Sequence, residues 1–108
     1  MAEANMIKVS VFYPHQPGAS FDMAYYCDHH IPMVLRLLGS AVKNAAVEQG
    51  LSGGTPGAPP LYVALGHMYF DSVPAFVEAW TPHAAEILAD IPKYTNLQPS
   101  IQISEVKL

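Results

Sequence analysis

The sequence has 108 residues, enough for one domain of ordinary size and too few for two. Hydrophobic residues make up 51% and charged residues 13%, with a net charge of −4 and only five Lys or Arg. That balance describes a globular chain and excludes a basic nucleic-acid footprint and a polybasic membrane patch. A single cysteine, Cys27, excludes a disulfide framework and a Cys-based zinc site. No apolar run approaches the ~18 residues of a membrane span. Met1 to Asn5 lacks the basic region and apolar block of a signal peptide, so a cytoplasmic location is the expectation.

Met6 to Tyr13 is rich in β-branched and aromatic residues. Lys8 and Ser10 alternate against Ile7, Val9 and Val11, which predicts a first strand. Pro14 to Gly18 punctuates as a loop. A helix is predicted from about Phe21 to Leu38, with Ser20 as its cap and Gly39 as its end. Pro32 removes one backbone donor and disfavours helical geometry at Ile31, so a kink or break is expected near His30 and Ile31.

Ala41 to Gln49 reads as a weaker second strand around Val42 and Val47. Gly50 to Pro60 contains four Gly and three Pro and must be a loop. Leu61 to Phe70 is a third strand, apolar on both faces and so expected to be central and covered twice. Asp71 or Ser72 caps a second helix that runs to about Ala89 and is divided at Pro82, with Thr81 as a second cap. Its expected buried stripe is Phe76, Val77, Trp80, Ala84, Ile87 and Leu88. Asp90 to Pro99 is a turn-rich connection, and Ser100 to Leu108 a fourth strand.

The order β-α-β-β-α-β predicts an α+β fold, the ferredoxin-like split βαβ, in a single domain over 1–108. Two helices would cover one sheet face. The other face carries Phe12 and one apolar side of the third strand, and leaving it bare would expose a patch that monomers avoid. A homodimer packed sheet against sheet would cover it.

The motifs for common chemistries are absent. Ser52-Gly53-Gly54 lacks the Lys and the strand–helix setting of a phosphate loop. His83 and Glu86 share a helical face and could edge a metal site, but a solvated pair is the better reading of them. Cys27 reads as an inert buried thiol. What remains is His and Tyr in an apolar chain: Tyr25, Tyr26, His29 and His30 just before Pro32, His67 on the third strand, and Tyr94 in the last connection. Neutral imidazole can move a proton near pH 7 and a phenol can polarise a carbonyl. The alternative is a His that merely caps a broken helix, with tyrosines as packing.

The segments I-K-V-S-V-F-Y-P-H-Q-P-G, F-D-M-A-Y-Y-C-D-H-H-I-P-M-V and A-D-I-P-K-Y-T-N-L-Q-P-S-I-Q-I-S-E-V resemble the EthD family over nearly the whole chain. The resemblance implies a dimeric α+β barrel. The family is named for a gene cluster that degrades ethyl tert-butyl ether, where its protein accompanies a cytochrome monooxygenase system. Related dimeric barrels include cofactor-free monooxygenases, isomerases, cyclases and haem-degrading proteins, so the fold selects no reaction.

On motif matching, His30 is the family's histidine; Tyr26, Asp90 and Tyr94 are motif residues without an assigned role. The expected catalytic set is His30 with Tyr26 or Tyr94. Met33, His67, Phe76 and Trp80 are the expected ligand contacts, in a pocket beneath the first helix. No metal or other cofactor is expected. Two functions fit: a small apolar or aromatic molecule is bound and acted on as by a lyase, isomerase or monooxygenase, or it is carried for a partner oxygenase.

Overall fold

Strand β1 (Ile7–Pro14) opens the computed structural model, which describes residues 5–108. The expectation for Met1 to Ala4 lies outside the described residues. Alternation along β1 buries Ile7, Val9 and Tyr13 on one side and leaves Lys8 and Phe12 on the other. The further strands are β2 (Asn44–Gln49), β3 (Tyr62–Phe70) and β4 (Ser100–Glu105). They join β1 in one antiparallel sheet of order β2-β3-β1-β4, the predicted ferredoxin-like topology.

The first helix differs from its expected form. It runs as α1 (Met23–Tyr25), a π-helical turn (Tyr26–His30) and α2 (Ile31–Leu38). Asp22, not Ser20, is the cap, with its side chain accepting from the Tyr25 N–H at 3.0 Å. Ile31 stays helical at φ −63°, ψ −45°, so Pro32 does not break the helix. Instead the preceding turn widens, and the Ile31 N–H donates to the Tyr26 carbonyl. A proline lacks a donor and crowds the carbonyl four residues back; one extra residue in the turn relieves both. Gly39, at φ 64°, then ends α2 as expected, and a 3₁₀ turn (Gly39–Ala41) delays β2 to Asn44.

The second helix divides at Pro82 as predicted, into α3 (Val73–Trp80), a 3₁₀ turn (Thr81–His83) and α4 (Ala84–Asp90). The Ser72 hydroxyl caps α3 at the Ala75 N–H, 3.1 Å away. Thr81 does not cap the start of α4, where His83 stands; it closes α3, and its hydroxyl donates to the Val77 carbonyl at 2.7 Å. Phe76 and Ile87 are buried, but Val77 and Leu88 are 48% and 47% exposed. Each of those two lies one residue, about 100° of helix, round from its buried neighbour.

The core lies between one sheet face and the helices. Ile7, Val9, Met68 and Phe70 come from the sheet, Val34 and Leu38 from α2, Phe76 from α3 and Ile87 from α4. Each such side chain contributes ~1.5–3 kcal/mol relative to exposure. Ile101 and Ile103 pair with Val11 and Val9 yet remain 50% and 42% exposed, because the helices do not reach over the β4 edge. Cys27 is exposed rather than buried: the π turn directs it outward. Among the described residues no helix is long and apolar enough to cross a membrane.

Candidate functional site

The widened turn brings Tyr26 and His30 inward together, and both are buried. Their rings stack, with centroids 5.5 Å apart. The chain after α4 supplies the other half of the site. It is tied to the loop before α1 by a bridge between Phe21 and Thr95, by the Asp22 N–H donating to the Tyr94 carbonyl at 2.7 Å, and by the Thr95 hydroxyl donating to the Ser20 carbonyl at 2.7 Å. These ties hold Tyr94 against His30, with ring centroids 4.6 Å apart.

Asp90, at the end of α4, lies with Oδ2 at 2.9 Å from His30 Nδ1. The Tyr25 hydroxyl donates to the other oxygen of that carboxylate at 2.9 Å, and Lys93 Nζ stands 3.5 Å from it. Burial pushes the Asp90 carboxyl up, but hydrogen bonds from His30 and Tyr25, with the charges of His30 and Lys93, bring it below its ordinary value. Burial disfavours the His30 cation and outweighs Asp90, so the imidazole titrates below its ordinary value and is neutral near pH 7. An ionised carboxylate only accepts, so Nδ1 carries the proton and Nε2 the lone pair.

Nε2 faces the Tyr94 hydroxyl at a long 3.4 Å, and Tyr94 is 2.6 Å from the Tyr13 hydroxyl. The Tyr26 ring meets Tyr13 edge-on, with centroids 5.6 Å apart. The Nε2 lone pair takes the Tyr94 proton, so the donors run one way, from Tyr13 through Tyr94 to His30. Burial raises all three phenols well above the ordinary tyrosine value, so they remain protonated donors. No buried side-chain polar atom among the described residues lacks a partner.

Beneath this chain lies a narrow apolar slot of about 50 Å³, bordered by Tyr13, Tyr26, His30, Gly66, Trp80 and Ile87. Gly66 keeps its floor low: a Cβ there would collide with the Tyr26 hydroxyl. The slot shares Leu88, Ile91, Pro99 and Ile101 with an outer groove of about 460 Å³. The closed part has room for only a few water-sized groups. A larger molecule must extend into the groove.

Of the expected site residues, His30, Tyr26 and Trp80 border the slot, and Tyr94 packs against His30 and Tyr26 without bordering it. Met33 and Phe76 pack in the main core instead, Phe76 against Phe70 and Trp80. Residue 67 borders the slot from the strand itself, but the His67 side chain lies on the opposite sheet face with Ser10 and Glu48. Asp90 and Tyr13 were expected only as residues of the family-like motifs, and Gly66 carried no expectation. The signal for Tyr13 was its place on the buried side of the β1 alternation. His83 and Glu86 form no ion pair, and no group of three metal-ligating side chains exists among the described residues.

Comparison with known proteins agrees with this architecture. The model of the EthD domain matches residues 18–98. An EthD-like protein from Ralstonia eutropha JMP134 is 51% identical, covering 97% of this chain and 95% of its own, with a TM-score of 0.93. An ethyl tert-butyl ether degradation family protein from Bacillus halodurans C-125 is 18% identical over 94% of this chain and 99% of its own, with a TM-score of 0.71. A dimeric ferredoxin-like protein from Thermobifida fusca YX shares the fold at 15% identity and a TM-score of 0.59, covering 98% of this chain and 95% of its own. No curated protein matches the sequence.

Proposed function

The chain belongs to the EthD family, and from that premise we propose that it binds one small, neutral, apolar or aromatic molecule in the slot and that His30 moves a proton on it. The observation that carries this reading is the one-way donor chain from Tyr13 through Tyr94 to His30 and Asp90, ending on an apolar slot. His30 Nε2 takes a proton from a C–H or O–H of the bound molecule. Asp90 stabilises the imidazolium so formed and holds the ring's orientation. Tyr26, which borders the slot, would polarise an oxygen of the ligand, while Tyr94 acts from behind through His30. Isomerisation, cyclisation, dehydration and decarboxylation all need such proton movements. The slot has no cation along its lining, so an anionic ligand would find no partner there.

A carrier that holds an apolar intermediate for a partner oxygenase is the second reading. It is favoured by the Tyr94 hydroxyl already standing opposite Nε2 and by the small closed volume. Both readings include a homodimer that covers the sheet face opposite the helices, supported by the largely apolar Phe12, Tyr62 and Leu65 there and by the dimeric relative of the same fold.

Trp80 is the single tryptophan and lines the slot, so its fluorescence reports occupancy. Native mass spectrometry of freshly purified protein identifies any retained ligand. With that ligand, His30→Ala should abolish turnover and leave Trp80 quenching intact, while His29→Ala, at an exposed residue, changes neither. Ligand binding with no turnover by the natural chain selects the carrier; no binding at all rejects both readings.

A further inference from the structure

Opposite the helices, the sheet face holds a second hydrogen-bonded chain that the slot does not use. Ser10 on β1 lies directly across from His67 on β3, with Oγ 2.8 Å from Nδ1. His67 Nε2 is 3.1 Å from Oε1 of Glu48 on β2. The carboxylate only accepts, so Nε2–H donates to it and Nδ1 accepts from the Ser10 hydroxyl when the ring is neutral. Ser10 is 2% exposed and the His67 side chain 11%, whereas the Glu48 side chain is 58% exposed. Burial of Ser10, in a sheet whose backbone donors are taken up by the ladder, speaks against a nucleophile.

The seam lies among Phe12, Leu65 and Tyr69. The charged side chains on this face are Lys8 on β1 and Glu48 on β2, one of each sign, although the whole chain carries −4. Tyr69 and Tyr62, the latter with its ring 5.1 Å from that of Phe12, are the other titratable groups from β3, and β4 brings only Ser100, Gln102 and Ser104, with the Gln102 amide donating to Ser104 at 3.1 Å. The acidic excess is kept off a face whose polar groups largely satisfy one another. Such a face suits a second copy of itself better than an acidic or a basic partner.

We propose that the Ser10–His67–Glu48 seam makes association of two chains through this face proton-linked, tightening as the pH falls. The inference rests on the homodimer of the previous subsection. Covering the face removes water from Glu48. Beside a neutral His67, that carboxylate becomes a desolvated charge with no cation in hydrogen-bond contact. A protonated His67 balances it, with Ser10 turning its lone pair to Nδ1–H. Association therefore takes up protons, to a limit of one per chain.

The test is sedimentation of the full chain at pH 8 and pH 6 in about 0.15 M salt, which screens the general charge. With a measurable dimer, the natural chain should dissociate at least threefold more weakly at pH 6 than at pH 8. Where the dimer is too tight, native mass spectrometry of mixed ¹⁵N-labelled and unlabelled chains should show at least threefold slower subunit exchange at pH 6. Glu48→Gln should be tighter than the natural chain at pH 8, and both it and His67→Gln should lose the pH dependence. A dimer with equal affinity and exchange at the two pH values, or a Glu48→Gln variant that keeps the slope, overturns the proton linkage alone. A monomer at every pH and at micromolar concentration overturns the dimer as well.

Discussion

Asp90 Oδ2 sits 2.9 Å from His30 Nδ1, and this contact decides which end of the imidazole faces Tyr94. The carboxylate reaches that position from the end of α4, and the π turn brings the ring to meet it. A straight α-helix through Pro32 would place His30 about 100° away for each residue of phase lost. The proline thus acts on the site through the turn it widens rather than through a break.

Asp90→Asn removes the obligate acceptor at Nδ1. The natural chain should show the Nδ1–H tautomer of His30 in a ¹⁵N–¹H long-range correlation spectrum. The variant should show mixed tautomers and unfold with ~1–3 kcal/mol less stability, the usual cost of disturbing a buried polar pair. An unchanged His30 spectrum in the variant would refute the orienting role of Asp90.

Gly66 and Tyr26 should be energetically coupled. Gly66→Ala drives a Cβ into the Tyr26 hydroxyl and should cost ~1–3 kcal/mol through overpacking. Tyr26→Phe removes the oxygen that the new methyl meets. The double variant should therefore be more stable than the sum of the singles predicts, by ~0.5–3 kcal/mol in urea unfolding. Strict additivity would mean that the strand, not the phenol, resents the methyl.

Much of the fold was legible because its period-two and helical patterns are strong. The β1 alternation, the two-sided apolar β3 and the Gly39 stop all stand where the sequence placed them. His30, Tyr26 and Tyr94 were legible as chemistry-bearing residues. Their partner Asp90 was visible only as a motif residue, because a contact 60 positions away in sequence leaves no local pattern. The response to Pro32 was misjudged for a related reason: a break and a π turn answer the same missing donor, and tertiary packing of Tyr26 and His30 chooses between them. His67 shares a strand with the slot's floor, but the two-residue period of β3 turns its side chain to the other face.

Alkaline titration should separate the tyrosines. The six tyrosines include Tyr13, Tyr25, Tyr26 and Tyr94, whose ionisation burial pushes above the ordinary value of 10.0. A group raised in the folded state contributes stability that is present below its unfolded value and is lost as the pH climbs above it. Absorbance at the phenolate band should therefore fall short of six chromophores until the protein unfolds above pH 10, and then complete in one cooperative step. A smooth reversible titration of all six near pH 10 would contradict the buried phenol chain.

Acid should destabilise the chain through His30 before it does so through Asp90. Both groups titrate below their ordinary values in the folded protein, 6.5 for the imidazole and 3.8 for the carboxyl. The unfolded chain therefore binds the proton more readily, and stability rises with pH across each window. The His30 contribution is intact above about pH 6.5 and is lost as the pH falls from there toward its depressed folded value. The Asp90 contribution is lost only below pH 3.8. The measurement is the urea midpoint at pH 7 and pH 5 in a His67→Gln background, so that association adds no slope of its own. His30→Gln in that background keeps an N–H for Asp90 but cannot titrate, and its midpoint should fall less between pH 7 and pH 5. Equal falls in the two proteins would show that His30 is not held neutral by its surroundings, and would remove it as the base of the proposed proton transfer.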